Sequence, residues 1–209
     1  MADDQLQWLK KINWRKILKK YGLMISFIAL SVVISFVTPN FLTSRNIMNM
    51  LRQSSIIGIM AIGTTFVILT GEIDISVGSV LALTGAMTLG LQTVMPWPFA
   101  VLVALAVGAG IGLINGLLVS KIKIVGIITS LGSMTIARGL TYLYTGGYPV
   151  LGSQDSFKYI GSGYLGKLPF PVMLFIVLVL FWQFILSRTP TGRYICAVGG
   201  NKEATRLSG

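Results

Sequence analysis

Two of the chain's six acidic residues, Glu72 and Asp74, stand two positions apart in Gly71-Glu72-Ile73-Asp74-Ile75-Ser76-Val77-Gly78-Ser79, between two long apolar runs. A carboxylate beside hydrocarbon is costly unless it is paired, hydrogen-bonded or open to water, so this segment either reaches water or is satisfied locally. The segment allows two readings. Asp74 and Ser76 can accept hydrogen bonds from the free N–H groups where the next helix starts. Alternatively, Glu72, Asp74 and Ser76 line a translocation route, joined by Asn115 from a later apolar run. Arg138 lies well inside another run, where its head either snorkels or bonds helix-end carbonyls, or serves the route directly. It has no obvious carboxylate partner on neighbouring runs, which argues against proton- or sodium-coupled transport.

Other chemistry is excluded by residue type. The chain has no histidine and one cysteine, Cys196, which rules out histidine proton chemistry, His/Cys metal sites and an internal disulfide. Gly161-Ser162-Gly163-Tyr164-Leu165-Gly166-Lys167 fits the spacing of phosphate-binding loops. Leu168 stands where a magnesium-binding hydroxyl is needed, however, and Pro169 and Pro171 come next, where a phosphate-capping helix would run. Any ATP must then be handled by another chain, and this one is predicted not to be an enzyme by itself and to bind no metal.

The elements that carry these residues are set by hydropathy. Of 209 residues, 54% are hydrophobic and only 11% charged, the balance of a polytopic membrane protein. Continuous apolar runs at about 22–38, 50–70, 76–95, 98–119, 124–145 and 170–187 predict an all-α fold of about six membrane helices. If six helices cross in turn from a cytoplasmic N-terminus, twelve of the seventeen Lys and Arg residues fall inside, four outside (Arg45, Arg52, Lys158, Lys167), and Arg138 falls within a span. The positive-inside rule supports that arrangement, with both termini cytoplasmic. It also accounts for the net charge of +11 without nucleic acid.

The predicted organisation has three parts. Residues 1–21 form a basic amphipathic start (Trp8, Leu9, Ile12, Trp14, Ile17 and Leu18 among lysines) that lies on anionic membrane lipid. Residues 22–187 form the transmembrane domain, with a retained first helix rather than a cleaved signal and an external loop at about 146–169. Residues 188–209 form a polar cytoplasmic segment, in which Gly199-Gly200-Asn201 supplies turn and N-cap chemistry and Lys202 to Leu207 forms a short helix. This segment is either a solvated tail or the place where a soluble partner docks. Gly108, Gly112 and Gly116, spaced by four, predict a close-packed helix face.

Taken together, several motifs resemble the membrane permease subunits of bacterial ABC sugar importers, most closely the ribose type. They are Asn40-Phe41-Leu42-Thr43-Ser44-Arg45-Asn46, Ile68 through Ser79, Asn115-Gly116, Arg138-Gly139 with Tyr144-Thr145-Gly146-Gly147, and Gly192-Arg193-Tyr194 leading to Gly199-Gly200-Asn201 and Ala204-Thr205-Arg206-Leu207-Ser208-Gly209. The resemblance implies a permease homodimer bound to ABC ATPase subunits inside and to an extracytoplasmic sugar-binding protein outside. ATP and magnesium would sit on the ATPase, with no cofactor bound by this chain. It further implies that Gly199, Gly200, Asn201, Lys202, Glu203, Ala204, Thr205, Arg206, Leu207, Ser208 and Gly209 form the coupling helix that seats in the ATPase.

Members of that family usually continue for over a hundred further residues, so the chain is expected to be incomplete. Glu72 stands where close relatives often have a small residue. The alternatives to a permease subunit are a secondary carrier or channel of the same topology, and a non-transporting fragment.

Overall fold

The computed structural model describes residues 14–208. The predicted amphipathic start therefore lies outside the described residues up to position 13, as does Gly209. Nine helices are described: α1 (Trp14–Val37), α2 (Ser44–Leu69), α3 (Val77–Leu91), α4 (Trp97–Ser120), α5 (Gly126–Thr145), α6 (Asp155–Ser162), α7 (Phe170–Arg188), α8 (Pro190–Gly200) and α9 (Lys202–Leu207). Between α6 and α7, β1 (Tyr164–Leu165) and β2 (Leu168–Pro169) pair antiparallel, the one departure from an all-helical fold among the described residues.

Contacts divide the chain into two units, residues 1–50 and 51–209. In the first, none of Leu18–Val37 is buried. The turn after this helix is fixed by Asn46 Nδ2, which donates to the Phe41 carbonyl at 2.8 Å, and by Thr43 Oγ1, which accepts from Asn46 N at the start of α2.

The six predicted runs all become helices, but they are not equivalent. Leu18–Val37, Ser44–Leu69, Trp97–Ser120 and Phe170–Arg188 are long and apolar enough to cross a membrane. Helix α3 has 15 residues, or about 22 Å at 1.5 Å per residue, short of a hydrocarbon core of about 30 Å. Helix α5 has the length, 20 residues, but carries Thr129, Ser130, Ser133, Thr135 and Arg138. Both pack against α4 and against each other, so part of their surface meets helices rather than lipid, and the demand for apolarity is relaxed. A polytopic helical membrane protein results.

Small residues set the α3–α4 contact. Ala100 and Ala104 are fully buried, and a Cβ on Gly108 would stand 3.3 Å from Thr84 Cγ2 on α3. The packed face is thus Ala100, Ala104 and Gly108. The expected continuation through Gly112 and Gly116 is not packed, since nothing lies within 4 Å of a Cβ at either position. Helix α3 begins at Val77, so its partner face on α4 ends near Gly108, while the last turns of α4 meet α5 through Asn115 rather than through the glycines.

Helices α2 and α7 run parallel. The Phe175 ring occupies the space a Cβ on Gly58 would need, and further along Phe66 and Trp182 meet edge to face with centroids 5.1 Å apart. At one end of this unit, Gln154 ties the 146–169 segment to the α3–α4 turn. Its Nε2 donates to the Gln92 and Met95 carbonyls, both at 2.9 Å, and its Oε1 accepts from Trp97 N at 3.0 Å. Arg52 reaches the hairpin at the same end, its guanidinium 5.3 Å from the Tyr164 ring centre. The segment predicted as an external loop is therefore ordered by α6 and the hairpin. Within α6, Lys158 donates to Asp155 at 2.6 Å and holds that carboxyl below the usual carboxylate range.

The residues predicted to carry the chain away from the membrane, Gly192 to Val198, are helical. Thr189 caps α8 by accepting from Gly192 N at 3.3 Å. Gly199 and Gly200, expected as a turn, are the last residues of α8, and Asn201 alone makes the corner.

Candidate functional site

The opposite end of the second unit is built around the exit of α2. Gly71, at φ +80°, ends that helix in a left-handed conformation that favours glycine. Gly71 N donates to the Ile68 carbonyl at 2.9 Å and Glu72 N to the Val67 carbonyl at 3.3 Å, the double bond of a Schellman motif. The motif stops the helix at Leu69 and, through Gly71, fixes the direction in which residues 72–76 leave.

Along that extended stretch, Asp74 Oδ1 accepts from Ser76 N at 2.7 Å and from Ser76 Oγ at 2.6 Å. Ser76 is buried and stands at the N-cap of α3, but its hydroxyl bonds Asp74 rather than the helix. The cap is thus an Asx turn, with the carboxylate as the acceptor. Across from it, Gly126 opens α5 against the same stretch, and a Cβ there would stand 2.7 Å from Glu72 Oε2 and 3.2 Å from the Ile73 carbonyl.

Beside the stretch between α2 and α3 lies a cavity of about 610 Å³. Glu72, Asp74 and the predicted Asn115 line it, together with Gly112 and Gly116. Ser76 does not line it but positions Asp74. Arg138 lies away from it. Twelve residues along α5 from Gly126, its side chain is exposed and makes no hydrogen bond or ion pair among the described residues. The structure brings the first three candidates together and leaves Arg138 apart.

Asn115 joins α4 to α5 by accepting from Ser133 Oγ. Its Nδ2 and the Thr129 hydroxyl are buried without a hydrogen-bond partner among the described residues. Thr129, Ser130, Lys123 and Gly126 also line the cavity, and sequence reasoning missed all four. Lys123 adopts φ +65° in the α4–α5 turn, a conformation uncommon for a side chain other than Gly, Asn or Asp. Hydropathy gave no signal for it beyond its charge.

The terminal segment supplies one wall of the cavity through Val198, Lys202, Glu203 and Arg206. Asn201 Oδ1 caps α9 by accepting from Ala204 N at 2.9 Å. Ala204, Thr205, Leu207 and Ser208 complete this end of the segment, with Ser208 Oγ closing onto the Ala204 carbonyl at 2.8 Å. Two contacts seat the segment on the exit of α2. Gly199 approaches the Leu69 carbonyl so closely that a Cβ would collide with it, and Lys202 Nζ meets Glu72 Oε1 at 2.5 Å. Arg206 pairs within α9 with Glu203 at 2.7 Å.

A bundle of apolar helices, with a largely apolar but charge-rimmed cavity at one end and a short polar helix seated on it, is the architecture of a polytopic helical membrane protein. Residues 46–209 match the family described as branched-chain amino acid transport system / permease component. The chain belongs to that family. Its four helices long and apolar enough to cross a membrane agree with a permease component. The chain is 44% identical to the ribose import permease protein of Haemophilus influenzae over 88% of this chain and 59% of that protein. The ribose import permease protein of Bacillus subtilis is 39% identical over 100% of this chain and 66% of that protein. An L-arabinose ABC transporter permease protein of Azospirillum brasilense is 32% identical over 93% and 58%. The chain thus spans about three-fifths of the length of the relatives it matches. No solved structure matches it significantly.

Proposed function

We propose that the chain is a transmembrane permease subunit of an ATP-binding-cassette importer that moves a monosaccharide, ribose-like in size and polarity, across the cytoplasmic membrane. The similarity to ribose and arabinose permeases supports the substrate class. In this reading α1, α2, α4, α5 and α7 cross the membrane, the shorter α3 passes through it packed against α4 and α5, and both termini are cytoplasmic. The loops bearing Lys121 and Lys123, the Glu72–Asp74 stretch and α9 share one end of the second unit, as the excess of inner Lys and Arg requires. The parallel course of α2 and α7 agrees with that parity.

The observation that carries the proposal is the seating of α9 as a wall of the cavity, through Lys202, Glu203 and Arg206. One short helix thereby touches both the charge-rimmed cavity and the face open to a soluble partner. That partner is an ATPase subunit, which holds ATP and magnesium and drives the switch between outward and inward access. A second permease copy and an extracytoplasmic sugar-binding protein complete the importer. The unpartnered amide of Asn115 and hydroxyl of Thr129 leave polar groups beside the route. Coupling demands that the two conformations differ in contacts at both the sugar and the ATPase sites.

Co-purification of the ATPase with the permease carrying Asn201→Asp and Arg206→Glu tests the reading. Aspartate at position 201 still accepts from Ala204 N, so α9 keeps its cap while its charge changes. The expected result is loss of most ATPase binding. Binding equal to wild type refutes the coupling role.

A further inference from the structure

We infer that the Glu72–Lys202 ion pair is a latch that holds α9 over the inner mouth of the cavity, and that engagement of α9 by the ATPase opens the mouth by drawing Lys202 away. The inference rests on the coupling reading of the terminal segment. It goes beyond it in naming the residue pair that joins that segment to the route.

Three observations carry it. First, α9 is six residues long, too short to be stable alone, so its position is set by what it touches. Its internal Arg206–Glu203 pair cannot fix it to the membrane domain, whereas Lys202 reaches Glu72, 130 positions earlier in the chain. Second, the partners are unequal. The Glu72 side chain is 26% exposed and that of Lys202 59%. The carboxylate, held by the Schellman turn and packed against Gly126, has lost much of its water and needs the ammonium, while lysine can extend into solvent when α9 moves. Third, Glu72 and Lys202 both line the cavity, so parting them widens the opening between the α2–α3 stretch and α9. Gly199 anchors α8, because its lack of a side chain lets the helix sit against the Leu69 carbonyl, and the corner at Asn201 is where α9 can move.

Glu72 is thus a positioning residue acting through Lys202. The test uses the complete importer, permease with its ATPase and binding protein, reconstituted in vesicles. Glu72→Gln is expected to keep the ATPase bound, and Glu72→Gln and Lys202→Gln are each expected to raise ATP hydrolysis per bound ATPase in the absence of sugar about threefold and to lower sugar moved per ATP by a similar factor, the scale of a partly exposed pair. The swap Glu72→Lys with Lys202→Glu restores the pair and is expected to recover most of the wild-type ratio, a rescue that a general packing defect would not give. Unchanged ratios in the neutral variants, or a swap no better than the single changes, overturn the latch. Loss of ATPase binding by Glu72→Gln overturns it as well, because the pair would then build the docking surface rather than hold it. The Asn201→Asp, Arg206→Glu experiment leaves Glu72 and Lys202 intact, so the coupling reading and the latch fail separately.

Discussion

At the scale of single residues, Asp74 does two things with one carboxylate. Oδ1 accepts both donors of Ser76, and the group borders the cavity. Asparagine keeps an Oδ1 acceptor and removes the charge, so it separates the roles. Asp74→Asn is expected to reach the membrane at near wild-type level while sugar uptake per folded permease falls about tenfold or more, the cost of losing roughly 1.5–3 kcal/mol of charge-assisted hydrogen bonding in the route. Asp74→Ala is expected to lose folded protein as well. Quantitative membrane blots beside radiolabelled uptake check this, and parallel losses of uptake and protein in the asparagine variant would leave Asp74 a purely structural cap. The sequence singled out Asp74 and Ser76 as acceptors for the free N–H groups of α3, but the structure pairs them with each other, both donors of Ser76 going to Asp74. Gly126, Thr129 and Lys123 were not legible in the sequence, since the approach of the Glu72–Ile73 stretch to α5 places them at the cavity, a contact across more than fifty residues.

At the scale of elements, hydropathy located all six apolar helices and the start of α3 to within one residue, but neither its early end at Leu91 nor the cavity beside the stretch that precedes it. The run through residues 76–95 reads as one span, and only the structure shows that 15 residues of it are helical and that the extended stretch before them borders the cavity. The glycine stripe of α4 was visible, but the tightly packed part begins with Ala100 and Ala104, which look like ordinary helix residues in the sequence. The external segment was read by composition alone. Its order comes from Gln154, whose side chain satisfies Trp97 N at the start of α4 and two carbonyls at the end of α3. Gln154→Ala orphans part of that set at a cost of about 2–4 kcal/mol. It is expected to lower the unfolding midpoint of the detergent-solubilised protein by about 5 °C or more. Gln154→Glu keeps the acceptor for Trp97 and is expected to fall between. A midpoint unchanged in Gln154→Ala would mean that the loop is held by α6 and the hairpin without this residue.

At the scale of the whole molecule, the account turns on sidedness. The charge asymmetry, the parity of α2 and α7, and the seating of α8 and α9 beside the Glu72–Asp74 stretch all ask that Gly199 to Ser208 face the cytoplasm and meet the ATPase there. The sequence supplies its own probe: Cys196 is the only cysteine and is exposed on α8, a few residues before the proposed contact. The most direct measurement is the labelling of Cys196 by a membrane-impermeant maleimide in right-side-out and inside-out vesicles, with and without the bound ATPase. Reaction only in inside-out vesicles, slowed when the ATPase is bound, is the result predicted. Labelling in right-side-out vesicles would contradict the account, and so would an inside-out rate that the ATPase leaves unchanged.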